Sequence, residues 1–299
     1  MWLNARWVFW VLCLLSLILL FIPIFARDGV FVDGDSYKSL RLSNSDLGHD
    51  TLSYGGRELI GEKGWYIFLS IIPLPVIKYL PLLFGFLSFV LFYFLIWKIK
   101  PEARGLASLL LVVSPSYIYL FSSLTKYVGA VLFILLGFYL FLQRRNWLAY
   151  TSFFISGLFS MFFLFLVLVV FLFYGLKKRE YESFFITLFS IVILFLLYFR
   201  EVFSLGFPDV FFGFKIFNVS FLLSFLMAEL GGSYGFGFFY FVLAIVGIYS
   251  YYKKSYKIFF AYLLFIVILF SVFYFNSLFF YLNLFLVFFA DCGLLAFLD

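Results

Sequence analysis

Asp33 and Asp35 stand two residues apart around Gly34, directly after the first long apolar run of the chain. Carboxylates at that spacing can hold a divalent cation through oxygen ligands, and the cation can neutralise a phosphate leaving group. Alternatively, one of them acts as general base toward an acceptor hydroxyl, or both are simply solvated loop acids. The stretch continues as SYKSLRLS from Ser36 to Ser43. Tyr37 and Arg41 are four apart there, and Leu40 follows Tyr37 by three, a spacing that predicts one face of a helix. That face leads from the carboxylates toward Lys38 and Arg41, whose cations suit a phosphate or a lipid headgroup.

Weaker candidates follow. His49, the lone histidine, precedes Asp50 without an HxxH or HExxH context, so it reads as an acid, a base or a loop hydrogen-bonding group rather than a zinc ligand. Arg57-Glu58, after Gly55-Gly56, can shape a loop around a sugar or phosphate, or form an ion pair. Lys126 stands at the end of an apolar run, where it can reach phosphate or snorkel. Glu229 lies in FLMAELGGSY just before another such run. A carboxylate at that depth needs a cation such as Arg41, Arg57 or Arg200, or a substrate. Asp291 sits inside the final run, where a buried hydrogen bond or a helix break is the ordinary expectation.

The elements that must position these residues are almost wholly hydrocarbon. Of 299 residues, 66% are hydrophobic, 51 are Phe and only 12% are charged, against about 25% charge in ordinary soluble domains. Apolar runs of about 18 residues or more recur from end to end, which predicts an all-α polytopic membrane protein. The runs are continuous rather than alternating, which argues against a barrel, and backbone in hydrocarbon must satisfy itself as helix. Trp7 to Phe25 reads as a retained span rather than a signal peptide, because Phe25-Ala26-Arg27 makes a poor cleavage site. Cys13 and Cys292 both lie in apolar runs and imply neither a disulfide nor a metal. The net charge of +6 falls in short clusters between runs and is no sign of nucleic-acid binding.

Ten spans are expected, at about 7–25, 79–97, 104–121, 127–142, 147–158, 160–175, 183–199, 232–250, 258–275 and 279–297, forming a single transmembrane domain over 1–299. With the N-terminus cytoplasmic, Arg6, Lys98, Lys100, Arg104, Arg144, Arg145, Lys177, Lys178, Arg179, Lys253, Lys254 and Lys257 all fall inside, twelve of the 21 basic residues. The outside receives a first loop, 27–78, a second large loop, 200–231, and ten of the fifteen acids. Trp147 to Gly175 is too long for one ordinary helix and too short for two full ones. A broken pair turning near Gly157 to Ser160 keeps both basic flanks inside, whereas a single tilted helix would flip every later loop. Gly64 to Leu74, with Trp65 and Tyr66, and Phe203 to Met227 read as interfacial helices forming a shelf in the outer loops.

FVDGDSYKSLRLS at 31–43 resembles the first-loop motif of the GT-C membrane glycosyltransferases, especially the archaeal and bacterial single-subunit oligosaccharyltransferases. In that family an aspartate after the first span precedes a helix bearing an aromatic and an arginine, positions matched by Asp35, Tyr37 and Arg41. Met227-Ala228-Glu229 resembles the family's short outer-loop motif ending in glutamate, and LLVVSPSYIYLFSS at 110–123 looks like its third span and exit. The resemblance implies a GT-C-like transmembrane helical bundle, polyprenyl-phosphate-linked sugar donors, transfer on the external face and often Mg²⁺ or Mn²⁺. The chain departs from the pattern at Leu124 to Gly129, which carries no acid, and it contains no WWDYG run. These departures point away from sequon-directed protein glycosylation, leaving a smaller lipid-sugar-dependent transferase, a fragment or an inactive homologue.

The mechanism expected on this basis is inverting glycosyl transfer. Asp35 activates the acceptor or joins Asp33 on a metal, and Arg41, Arg57 and Lys126 offset charge on the departing phosphate. Glu229 closes the site, with Tyr37, His49 and Asp50 supporting the loop. The rivals are a transporter or flippase of lipid-linked sugars and a noncatalytic membrane partner subunit. Charges deep in several spans would favour transport, and no filter-like ring motif suggests a channel.

Overall fold

The computed structural model describes residues 6–26, 31, 33–44, 49–50, 57–58, 63–160, 181–205, 238–251 and 287–292. It also describes helical residues at 164, 167, 169, 171, 172, 175 and 294. These residues are helical apart from loops, turns and one two-residue strand pairing. Glu229, the span expected at 258–275 and nearly all of the loop at 200–231 lie outside them.

The order is α1 (Arg6–Ala26), α2 (Gly34–Asn44), the strands β1 (His49–Asp50) and β2 (Arg57–Glu58), α3 (Lys63–Ile71), α4 (Leu74–Ile77) and α5 (Leu80–Ile99). Then follow α6 (Arg104–Val113), α7 (Pro115–Leu120), α8 (Lys126–Leu142), α9 (Asn146–Phe159), α10 (Tyr181–Leu205) and α11 (Phe238–Tyr251). Residues Trp7–Ala26 of α1 and the whole of α5 are long and apolar enough to cross a membrane, at 20 residues each. At 1.5 Å per residue that is about 30 Å, the thickness of a bilayer's hydrocarbon.

Polarity in the bundle runs inside out. Ser16 of α1, Ser88 of α5, Ser108 of α6, Ser156 of α9 and Thr187 and Ser190 of α10 are buried. Large apolar side chains are exposed on two of these helices: Trp10, Leu14, Ile18 and Ile22 on α1, and Leu188, Val192, Phe195 and Leu196 on α10. Small hydroxyl residues between helices and large apolar ones outside are the pattern of packing in lipid rather than in water.

Hydroxyls also tie the helices together. The Tyr117 hydroxyl donates to the Gly85 carbonyl at 2.9 Å and lies 3.1 Å from Ser16 Oγ, joining α7, α5 and α1. Ser156 donates to the Ala130 carbonyl at 3.2 Å, and Tyr198 to that of Gly157 at 2.7 Å, joining α9 to α8 and α10. The hairpin of α8 and α9 is close-packed because Gly137 leaves room for the Phe153 ring, which a β-carbon there would strike. Its turn is a Schellman motif. Arg144 takes the left-handed conformation (φ 60°), its N–H reaches the Phe141 carbonyl at 2.9 Å, and the Arg145 N–H reaches that of Leu140 at 3.0 Å.

Two apolar runs are interrupted. Residues 104–121 are not one helix: Ser114 is extended (φ −69°, ψ 131°), because Pro115 disfavours helical backbone in the residue before it. Ser114 then caps α7, its Oγ accepting the Tyr117 N–H at 3.3 Å. The second break is the one expected near Gly157 to Ser160. α9 ends at Phe159, and Ser160 is extended (φ −152°, ψ 117°). A β-carbon at Gly157 would lie 3.2 Å from that of Leu164, whereas seven residues of continuous helix span about 10 Å. Phe171 meets the rings of Phe153, Phe138 and Phe141, so the chain doubles back along α9 and is not a single tilted helix.

Candidate functional site

α2 begins where it does because Asp33 caps it. Asp33 Oδ1 accepts the Ser36 N–H at 3.0 Å and also the Ser36 hydroxyl, satisfying an amide that a helix start leaves without a partner. Asp35, in the first turn, is well placed against the positive end of the helix dipole. Ser36, Ser39, Leu42 and Ser43 form the buried face, and α2 packs beside α3. Asp35, Tyr37, Lys38 and Arg41 are exposed, so the expected face shared by Tyr37 and Arg41 is present and open. The Tyr37 ring meets Phe31 edge-on at 6.0 Å.

The buried Ser36 hydroxyl has a second role. Its oxygen accepts the Leu124 N–H at 2.7 Å, fastening α2 to the buried turn of Phe121 to Thr125 between α7 and α8. Lys126 follows at once as the first residue of α8, its ammonium 5.3 Å from the centre of the Tyr127 ring. Asp33, Asp35 and Lys126 therefore belong to one end of the bundle. Lys98, Lys100, Arg104, Arg144 and Arg145 belong to the other end, where α5 finishes, α6 starts and the α8–α9 turn lies.

The remaining loop candidates share an antiparallel pairing in which His49 stands opposite Glu58 and Asp50 opposite Arg57. No group of three or more His, Cys, Asp or Glu side chains among the described residues is arranged to hold a metal. Asp33, with one oxygen taken up by Ser36, and Asp35 do not by themselves complete the oxygen shell of Mg²⁺ or Mn²⁺.

A second polar group lies at the opposite end. Asp291 is fully buried, and neither carboxylate oxygen has a hydrogen-bond partner. The buried hydrogen bond expected at Asp291 is therefore not made. At the start of α6 the Arg104 guanidinium lies 5.2 Å from the ring centre of Trp97 and 5.9 Å from that of Tyr93.

Ser36 was not singled out by sequence. A signal for Ser36 was present, since Ser36, Ser39 and Ser43 repeat at helical spacing as a stripe of small hydroxyls. No protein-family model matches this chain, and a search of curated proteins finds no match either.

Proposed function

We propose that this chain is an integral membrane glycosyltransferase, moving a sugar from a polyprenyl-phosphate donor to an acceptor at the external face. The observation that carries this reading is the Ser36–Leu124 bond, which fastens the acidic start of α2 to the turn leading into Lys126. A carboxylate that takes a proton and a cation that offsets phosphate charge are the two groups such a transfer needs. The inside-out polarity supports embedding in a bilayer. The gathering of basic residues at the far end supports a cytoplasmic N-terminus and a ten-span, GT-C-like bundle.

In this mechanism Asp35 accepts the proton of the acceptor hydroxyl as its oxygen bonds to the anomeric carbon. The bond from that carbon to the phosphate oxygen breaks on the opposite face, and the charge left on the phosphate is offset by Lys126 and Arg41. Glu229 comes from the second outer loop to close the site, while Tyr37, His49, Asp50 and Arg57 shape the first. The decisive experiment reconstitutes the protein in liposomes with polyprenyl-phosphate sugars and compares it with Asp35→Asn. Equal transfer by the two proteins would sink the role given to Asp35.

A second reading, transport of lipid-linked sugars between leaflets, is favoured by the interruption at Ser114 and by the buried Asp291. In the same liposomes it would appear as movement of the donor across the bilayer with no glycosylated product.

A further inference from the structure

A cleft opens where α1 finishes and α5 starts, at the end of the bundle that carries Asp33 and Lys126. Pro23 and Ile24 of α1 form one wall, Pro81 of α5 another, and Phe31 and Phe121 complete the apolar lining. The enclosed part takes about one water-sized group, and with the open mouth the empty space is about 280 Å³. Two polar side chains interrupt this lining, Ser122 and Lys78. The Ser122 hydroxyl already donates to the Ile118 carbonyl at 2.5 Å, so the donor that serves the cleft is Lys78. Lys78 is half-buried, with its ammonium 4.8 Å from the centre of the Tyr79 ring. Among the described residues no acid pairs with it.

We infer that this cleft holds a phospholipid, with its phosphate diester at the Lys78 ammonium and its first acyl carbons against Pro23, Ile24 and Pro81. Both walls belong to helices long and apolar enough to cross a membrane, so the cleft lies at the depth where hydrocarbon gives way to headgroups. A lysine and an exposed tyrosine, here Lys78 and Tyr79, are the side chains suited to that level. An ammonium at the mouth and hydrocarbon beside it match the charged and apolar parts of a lipid entering from the bilayer. Because the enclosed part is so small, one phosphate oxygen enters it and the rest of the head stays at the mouth. On the same helix ends Ile22 and Phe25 of α1 and Leu83 of α5 are exposed and give the tails an apolar surface. Bound there, the lipid wedges α1 against α5 beside Phe31, whose ring meets Tyr37 of α2. The inference rests on the membrane placement of α1 and α5 and not on glycosyl transfer.

The test is binding to the purified full-length chain in detergent, read by thermal shift over a titration. The probes are phosphatidylglycerol, the matching diacylglycerol without phosphate, glycerol phosphate without tails, and a polyprenyl monophosphate. Phosphatidylglycerol is expected to raise the melting point of the wild type, and neither diacylglycerol nor glycerol phosphate to do so. Lys78→Met should weaken phosphatidylglycerol binding about tenfold, and Lys78→Arg should retain it. Ile24→Trp, which crowds the mouth and leaves the cation in place, should weaken it as well. Lys63→Met, at the start of α3, should leave it unchanged. Melting of each variant without probe shows that it is folded.

Wild-type affinity in Lys78→Met, or equal binding of diacylglycerol, overturns the site. Equal losses in Lys78→Met and Lys63→Met overturn it too, since lysines would then merely attract anionic lipid. Binding of the polyprenyl monophosphate alone, lost in Lys78→Met, overturns the phospholipid and gives the cleft to the donor. Flotation with liposomes checks the membrane placement separately. A chain that floats and does not bind phosphatidylglycerol overturns the site alone, and a chain that does not float overturns both.

Discussion

The Leu124 N–H donates to Ser36 Oγ at 2.7 Å, across 88 residues of chain, while the same hydroxyl donates to Asp33. One buried oxygen thus serves two loops. Ser36→Ala is expected to leave the buried Leu124 amide without an acceptor, at about 1–3 kcal/mol. Thermal unfolding in detergent measures the loss, and amide hydrogen exchange should show Leu124 deprotected; unchanged exchange there would mean that the two loops are not coupled in this way.

Asp33 and Asp35 should separate cleanly by substitution. Asp33→Ala removes a cap and is expected to cost about 1 kcal/mol, while Asp33→Asn, which can still cap, costs much less. Thermal unfolding of the two variants decides this. A large loss of transfer activity in a fully stable Asp33→Asn would assign that residue chemistry beyond capping.

Asp35→Asn, at an exposed position, should change stability by no more than about 0.5 kcal/mol. Its transfer rate is expected to fall by about 10²–10⁴, the usual contribution of a general base. Rates and melting curves from one preparation test both halves.

Asp291 is buried with neither carboxylate oxygen hydrogen-bonded. Asp291→Asn removes its charge at nearly constant volume and is expected to be no less stable than the wild type. Thermal unfolding in detergent checks this, and a loss of more than about 2 kcal/mol would show that the carboxylate has a strong partner in the folded protein.

Arg144→Gly should stabilise the α8–α9 hairpin by about 1 kcal/mol, because Arg144 holds a left-handed conformation that costs a side-chain-bearing residue roughly that much. A melting point below that of the wild type would mean that the arginine side chain contributes more than the turn strain removes.

Much of this arrangement was legible in the residues. Tyr37 and Arg41 announced the face of α2 through their spacing, whereas Trp65, expected at an interface, is fully buried against the Phe159 ring. The turn at Ser160 followed from a run of awkward length between two basic flanks. The break at Ser114 was written in Pro115, but an apolar run of the right length to span masked it. What could not be read was the pairing of distant loops. The Ser36–Leu124 bond has no local pattern, since it exists only after packing brings remote segments together.

The shortness of α9 has a consequence for how the protein is made. Its 14 residues extend about 21 Å, less than the hydrocarbon of a bilayer, so α9 is a poor substrate for insertion by itself. Its partner α8 is close-packed against it at Gly137, and the chain returns along it after Ser160. On the membrane reading proposed above, α9 is therefore expected to insert together with α8 as one hairpin rather than alone.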